Sequence, residues 1–311
     1  MTTKNVLVTG GAGFIGSHLC ETLLEQGHTV VAFDNLSTGN KQNILKHKQY
    51  SFVEGDANSA NDLNKLFAQH SFDWVFHYAA VVGVKRTLEQ PALVINDATG
   101  IKTILDLSLK HAVKKVLFAS SSEVYGEPSK LPEEEDGPID PRTPYASVKL
   151  FGEQSLRAYY EQHGLKTTCL RLFNVYGPRQ ISTAYGFVVG IFINQVLQNK
   201  NPTIFGDGKQ TRDFVYVKDN VYMTIAAMQA AETNGEVINL GTGKPVTILH
   251  LAQEIIKLSG KKLKPEFLPE RACDIIHRYP SIDRMKKLIG YDAKHSLEQG
   301  LKETFAWFTQ H

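Results

Sequence analysis

At 311 residues, with 42% apolar residues and a net charge of +2, the chain can bury a large core in one big domain or two intimate ones. Scattered Lys and Arg exclude a nucleic-acid-binding face, and no apolar run reaches the length needed to span a bilayer. Three cysteines without metal-type spacing, Cys20, Cys169 and Cys273, predict buried thiols, a reducing cytoplasm and no metal site.

Met1 to Asn5 lead straight into the first strand, so no signal peptide is expected. Val6-Leu7-Val8 suits a strand buried on both faces. Gly10, Gly13 and Gly16 follow at three-residue spacing, with Phe14 and Ile15 inside the same turn. Ser17 to Leu24 then reads as a helix with Leu19, Leu23 and Leu24 on one side. Glycines at such a turn let backbone approach a ligand closely. The free N–H groups and positive end of the helix suit a pyrophosphate. Val30 to Asp34 is a second strand, and Asp34 falls where an acid holds the adenosine ribose diol. That acid would repel a 2′-phosphate, which favours NAD over NADP. The glycine spacing alone is a weak signal; strand, helix and acid together make it a dinucleotide fingerprint.

The polar stretch carrying Asn35, Ser37, Thr38 and Gly39 would reach the adenosine end of the cofactor. A third strand from Ser51 runs to Asp56, placed to accept from an adenine amino group, with Ala57 beside it. A fourth strand, Phe72 to His77, is followed by Tyr78-Ala79-Ala80, where small residues let the cofactor lie against backbone. His77 reads as a packed strand-end histidine. A helix over 96–111 has Ile101, Ile104, Leu105 and Leu109 on one face, and Asn96 at its head is counted with the cofactor contacts. Lys115 to Ala119 is a fifth strand, running into Ser120–Gly126; the Pro-, Glu- and Asp-rich stretch 127–144 reads as a surface loop. A helix over 145–160 and a strand over 166–173 follow. Alternating strands and helices predict an α/β fold with a Rossmann-type doubly wound parallel sheet and ligands at the carboxyl ends of its strands.

The alternation loosens after Asn174. Expected there are a turn over 176–179, an apolar helix over 187–199, strand and turn over 203–208, and short strands over 214–217 and 237–240. Helices are expected near 248–258, 282–288 and 297–309. This divides the chain into an NAD-binding domain over 1–174 and a smaller mixed α/β substrate-binding region over 175–311, some of whose elements return to the first domain.

Tyr145 and Lys149 are four apart on one helical face. A free tyrosine, with a pKa of about 10, is too weakly acidic to act as a base at neutral pH. A neighbouring ammonium and a cationic nicotinamide would both stabilise the phenolate. Lys149 would also bond the nicotinamide ribose, and Ser121, at a neighbouring strand end, would share a substrate hydroxyl proton. Base, partner hydroxyl and hydride acceptor then meet in one place.

Thr9–Gly16, Ser120–Gly126, Tyr145-Ala-Ser-Val-Lys149, Arg171–Arg179 and Gly206–Asp213 together resemble the extended short-chain dehydrogenases that act on nucleotide sugars. UDP-glucose 4-epimerases, UDP-glucuronate decarboxylases and sugar-nucleotide 4,6-dehydratases share this plan, and the resemblance covers nearly the whole chain. It implies tightly held NAD, oxidation at C4 of a UDP-sugar, and return of the hydride after the 4-keto sugar has reacted. It assigns nucleotide and diphosphate contacts to Asn174, Phe205, Arg212 and Arg271. The two arginines suit bidentate phosphate contacts, and Phe205 suits a uracil ring. It also implies a homodimer formed by the helices over 96–111 and 145–160.

Two segments disagree on the reaction. The stretch 79–91, with Val82 and Lys85 counted as substrate contacts, is similar to the 4-epimerase version, having Val84 and Thr87 where decarboxylases carry Pro and Tyr. His277–Ile282 is similar to the decarboxylase version, in which an arginine, here Arg278, faces the C5 substituent. Glu123 matches the glutamate of decarboxylases and dehydratases, while Ser122 replaces the dehydratases' preceding acid. An arginine beside C5 suits a carboxylate and would be costly beside a neutral group. The residues favour 4-epimerisation, of a hexuronate if Arg278 faces the sugar, with decarboxylation to UDP-xylose as the alternative and dehydration third. In a different class stands a non-catalytic NAD-binding sensor on the same fold.

Overall fold

The computed structural model describes residues 2–83, 87, 89–180, 187–270 and 275–311. A seven-stranded sheet is built from β1 (Asn5–Thr9), β2 (Thr29–Asp34), β3 (Tyr50–Glu54), β4 (Trp74–His77), β5 (Lys115–Ser121), β6 (Thr167–Leu172) and β10 (Glu236–Leu240). The order is β10-β6-β5-β4-β1-β2-β3 and every pairing is parallel. The strand order reverses between β1 and β4, which opens a crevice at their carboxyl ends.

Alternate residues of each strand enter different cores. Val6 and Val8, with Val30, Ala32, Phe76 and Leu117, face one apolar cluster. Leu7, with Val31, Phe33, Val75 and Val116, faces the other. This two-sided burial explains the unbroken apolar runs. Each fully buried aliphatic side chain contributes about 1.5–3 kcal/mol. On one face lie α1 (Phe14–Glu25) and α6 (Val217–Gln229); on the other lie α2 (Ala60–Gln69), α3 (Pro91–Lys110) and α4 (Pro144–His163). Thr143 caps α4, its hydroxyl accepting from the Ala146 amide at 3.1 Å, and proline in the first turn fixes where α3 and α4 begin. α3 therefore starts five residues before the predicted helix.

Beyond β6 only Phe173 intervenes before β7 (Asn174–Tyr176), which leaves the main sheet and pairs with β9 (Thr211–Tyr216). β9 also pairs with β11 (Pro245–Thr247) and β13 (His277–Arg278), while β8 (Thr203–Phe205) pairs with β12 (Glu266–Leu268). Helices α5 (Val188–Leu197), α7 (Ile248–Ser259), α8 (Asp283–Ile289) and α9 (Leu297–Gln310) complete the smaller region.

The strand over 237–240, within the sequence range of the smaller region, returns to the edge of the main sheet beside β6, and two expectations are corrected. Helices α2 and α6 occur where none was expected; Ser59 caps α2 and its apolar face is only Leu63, Leu66 and Phe67, while α6 is buried around most of its circumference, which hides helical periodicity. The stretch 127–144 is not simply a surface loop. Glu133 and Glu135 are buried, and the Glu133 backbone exchanges hydrogen bonds with Tyr279 and Ser281. Among the described residues no helix is long and apolar enough to cross a membrane.

Candidate active site

The carboxyl ends of β1 to β6 converge on one cleft. At its floor, Gly10 has φ +72° and a Cβ there would lie 2.9 Å from the Ala79 amide nitrogen. A Cβ on Gly16 would be driven into the Gly10 carbonyl oxygen. Only glycine allows this closeness, and it leaves the start of α1 open to the cleft, a cradle that fits a pyrophosphate. Thr9 ties the floor together: its hydroxyl meets His77 Nδ1 at 2.8 Å and accepts from the Tyr78 and Ala79 amides at 3.2 and 3.1 Å. His77 is buried against Phe118, and burial lowers its pKa to about 3, so it is a neutral packing residue.

Asp34 ends β2. Its carboxylate accepts from the Ala12 and Leu36 amides at 3.0 and 2.7 Å. Gly39 packs so closely on it that a Cβ would lie 2.6 Å from Oδ1. Along the cleft from there lie Asn35, Ser37, Thr38, Asp56 and Ala57, then Tyr78, Ala79, Ala80 and Val82, together with Gly13, Phe14 and Ile15.

At the other end lie Ser121, Ser122, Glu123, Tyr145, Lys149, Asn174 and Arg278. The Lys149 ammonium donates to Ala119 O at 2.7 Å and sits 5.4 Å from the Tyr145 ring centre. Burial lowers its pKa to about 8, with Asp97 and Glu123 acting the other way. Burial pushes the Tyr145 hydroxyl well above its usual range; Glu123 and Asp97 add to this, and a hydrogen bond with Ser121 opposes it. The lowering expected from Lys149 is not among the influences on this hydroxyl, which burial dominates. Burial also raises the Glu123 carboxyl, against Arg278, a hydrogen bond from Thr143, and Lys149. Arg278 is buried, its Nη2 donating to Gly126 O at 2.6 Å.

A buried network holds these strand ends. Glu153 on α4 receives Arg171 of β6 in a two-pronged contact, 3.0 and 2.8 Å, and the Ser120 hydroxyl at 2.5 Å. The Arg171 guanidinium lies 4.7 Å over the Tyr125 ring and donates to Glu135 O at 3.0 Å.

Several expected residues fall elsewhere. Asn96 is exposed; its neighbour Asp97 lines the cleft, accepting from the Val81 amide and Asn58 Nδ2, both at 2.8 Å. One residue is 100° of helix, so the inward position is Asp97. Gly39 supports Asp34 from behind the cleft rather than lining it. Phe205 and Arg212 lie in β8 and β9 outside the cleft lining, Arg212 in register with Arg278 across the β9–β13 pair and donating to Thr211 O at 2.8 Å. Lys85 and Arg271 lie outside the described residues. Lining residues not singled out from sequence include Asn58, Asp97 and Phe187; the burial period of α3 was the available signal for Asp97.

The NAD-dependent epimerase/dehydratase family model matches residues 6–241. The chain belongs to that family. It is 38% identical over 326 residues to a UDP-N-acetyl-alpha-D-glucosaminuronate decarboxylase of Bacillus cytotoxicus, covering 99% of this chain and 98% of that one. UDP-glucose 4-epimerase of Thermotoga maritima, solved with UDP-glucose, superposes with a TM-score of 0.94 at 36% identity, covering 98% and 99% of the two chains. A mutant UDP-glucuronic acid 4-epimerase of Bacillus cereus, solved with a 4-deoxy-4-fluoro substrate analogue and NAD, gives 0.88 at 33% identity, covering 98% and 99%. Within this family NAD is the cofactor, and the glycine cradle and Asp34 fit it. The Rossmann-type α/β architecture is that of its epimerases.

Proposed function

We propose that the chain catalyses NAD-dependent 4-epimerisation of a UDP-sugar, and that a hexuronate is the substrate the site suits best. The 79–91 segment supports the 4-epimerisation, and the observation that carries the hexuronate substrate is Arg278, a buried arginine in the cleft wall within electrostatic reach of Glu123. A cation there is well matched to a sugar carboxylate at C5 and poorly matched to a neutral hydroxymethyl group.

In this reading Tyr145 takes the proton from the C4 hydroxyl, Ser121 shares it by hydrogen bonding, and Lys149 holds the ribose and favours the phenolate. Bound NAD supplies the hydride acceptor and donor and a positive charge that favours the tyrosinate. Gly10, Gly13 and Gly16 would receive the pyrophosphate and Asp34 the ribose diol. Asn174, Phe205 and Arg212 remain the proposed nucleotide contacts, together with Lys85 and Arg271. Loss of CO₂ from a 4-keto hexuronate moves the carboxylate's charge into the sugar ring. A guanidinium bonded to that carboxylate stabilises the charge where it is and opposes the loss.

Decarboxylation is the second reading, supported by Glu123, by the 277–282 segment and by the Bacillus cytotoxicus relative. Dehydration lacks an acid at Ser122, and a sensor leaves Ser121, Tyr145 and Lys149 without purpose. Incubation with NAD and, separately, UDP-glucuronate, UDP-glucose and UDP-N-acetylglucosamine, followed by proton NMR, decides. UDP-galacturonate is expected. UDP-xylose would replace the proposal with decarboxylation, and no product from UDP-glucuronate would overturn the hexuronate reading. We also propose a homodimer through α3 and α4, supported by their exposed apolar residues Leu93, Ile95 and Phe151.

A further inference from the structure

Beside Arg278, and outside the cleft lining, lies Glu133. It is 3% exposed, and among the described residues neither of its carboxylate oxygens has a hydrogen-bond partner. Its backbone is stitched beside β13: the Glu133 amide donates to Tyr279 O at 3.0 Å, and the Ser281 amide donates to Glu133 O at 2.8 Å. This sets Oε1 3.9 Å from Arg278 Nε. The charged groups facing Glu133 among the described residues are Arg278 of β13, Arg212 of β9 and Arg171 of β6. Glu123 approaches Arg278 as a second carboxylate. A buried carboxylate without hydrogen bonds is costly as an anion. Burial accordingly raises the Glu133 pKa to about 8, in spite of three arginines.

We propose that Glu133 is a specificity-determining residue: its protonation sets how much of the Arg278 charge the cleft presents, and so selects a sugar bearing a carboxylate over a neutral one. The proposal rests on the hexuronate reading. Protonated Glu133 leaves the guanidinium charge for the substrate. Ionised Glu133 compensates it from outside the cleft lining, and a substrate carboxylate then enters against two fixed carboxylates, Glu133 and Glu123. The direction follows from linkage. The carboxylate sugar binds the protonated form, so its affinity holds below about pH 8 and falls above it. Its binding raises the Glu133 pKa further and takes up a proton from solvent near that pH. A neutral sugar has no such linkage.

The test is titration calorimetry of the NAD-loaded protein with UDP-glucuronate and with UDP-glucose, in two buffers of different ionisation heat. Wild type and Glu133→Gln are compared at about two units below and above pH 7.5, where a carboxyl of this pKa changes almost fully. The Gln variant is isosteric and fixes the neutral form. Lys149 titrates in the same window, and the UDP-glucose arm and the Gln variant separate its contribution. Wild type is expected to lose affinity for UDP-glucuronate on the order of tenfold across the range, as a like charge beside the shared guanidinium implies. It should take up a proton near pH 8. Glu133→Gln should lose no more affinity for UDP-glucuronate than for UDP-glucose, and the pH response to UDP-glucose, which carries the Lys149 contribution, should be the same in both proteins. The same loss in Glu133→Gln, or no loss in wild type, overturns the role of Glu133 and leaves the hexuronate reading standing. UDP-glucuronate binding no tighter than UDP-glucose to wild type at the low pH overturns both.

Discussion

Asp97→Asn tests how the cleft tunes its acid–base pair. Asp97 acts as a negative charge on both Lys149 and Tyr145, raising the pKa of each. Its removal lowers both: Tyr145 ionises at lower pH, and Lys149 also loses its charge at lower pH, so the rising and falling limbs move in the same direction. For a charge of this proximity the expected displacement is on the order of one pH unit. Asparagine keeps one acceptor for the Val81 amide, and its amide can donate to Asn58 once that side chain turns its oxygen inward. The two 2.8 Å contacts are thereby replaceable, where an unmatched donor would cost about 1–3 kcal/mol. The assay is the pH dependence of kcat/KM on the NAD-loaded protein. The rising limb should move to lower pH by about one unit, with thermal stability little changed. A limb that stays in place or moves to higher pH refutes the coupling, because no arrangement of Asp97 as an anion lowers either partner.

Tyr145→Phe should lose at least about a hundredfold in kcat while still binding NAD, as expected when a general base is removed; turnover equal to wild type would refute the assignment. Gly16→Ala should abolish NAD binding, measured by fluorescence titration, because its methyl group displaces the Gly10 carbonyl and closes the cradle. Glu153→Gln strips Arg171 of its buried partner, side chains 3% and 1% exposed, and should cost about 3–5 kcal/mol in denaturant unfolding. Sedimentation at micromolar concentration should give the mass of two chains, and Ile95→Glu together with Phe151→Glu should shift it towards one.

The sheet was legible because its strands are buried on both sides. Val6-Leu7-Val8 and Val30 to Phe33 feed two cores by turns, so apolar residues are contiguous and each strand announces itself. The catalytic pair was legible for a different reason: Tyr145 and Lys149 are on one element, and helical spacing alone brings them together. What could not be read was any feature set by contact between distant segments. Asn96 and Asp97 are both polar; the period of Ile101 and Ile104 turns Asp97 inward, but only the packing of α3 beneath Val81 and Asn58 gives it its partners there. The strand over 237–240 carries no mark of which sheet it joins; β10 reaches β6 because α6 returns the chain across the sheet.

Glu133 shows the same limit in its sharpest form. In a run of acids after Pro132, composition predicts a solvated segment, and for Glu134 that holds. Glu133 and Glu135 nevertheless alternate with it as strand residues do. Each is buried for its own purpose. Glu135 accepts from the Asn239 amide at 2.9 Å, a bond that fastens the segment to the sheet edge. Among the described residues Glu133 has no such bond and meets Arg278 instead. A fold-stabilising carboxylate would be expected to find donors, as Glu153 and Asp213 do. One left without them, between arginines and next to the cleft, contributes through its charge, and that charge depends on what the cleft holds.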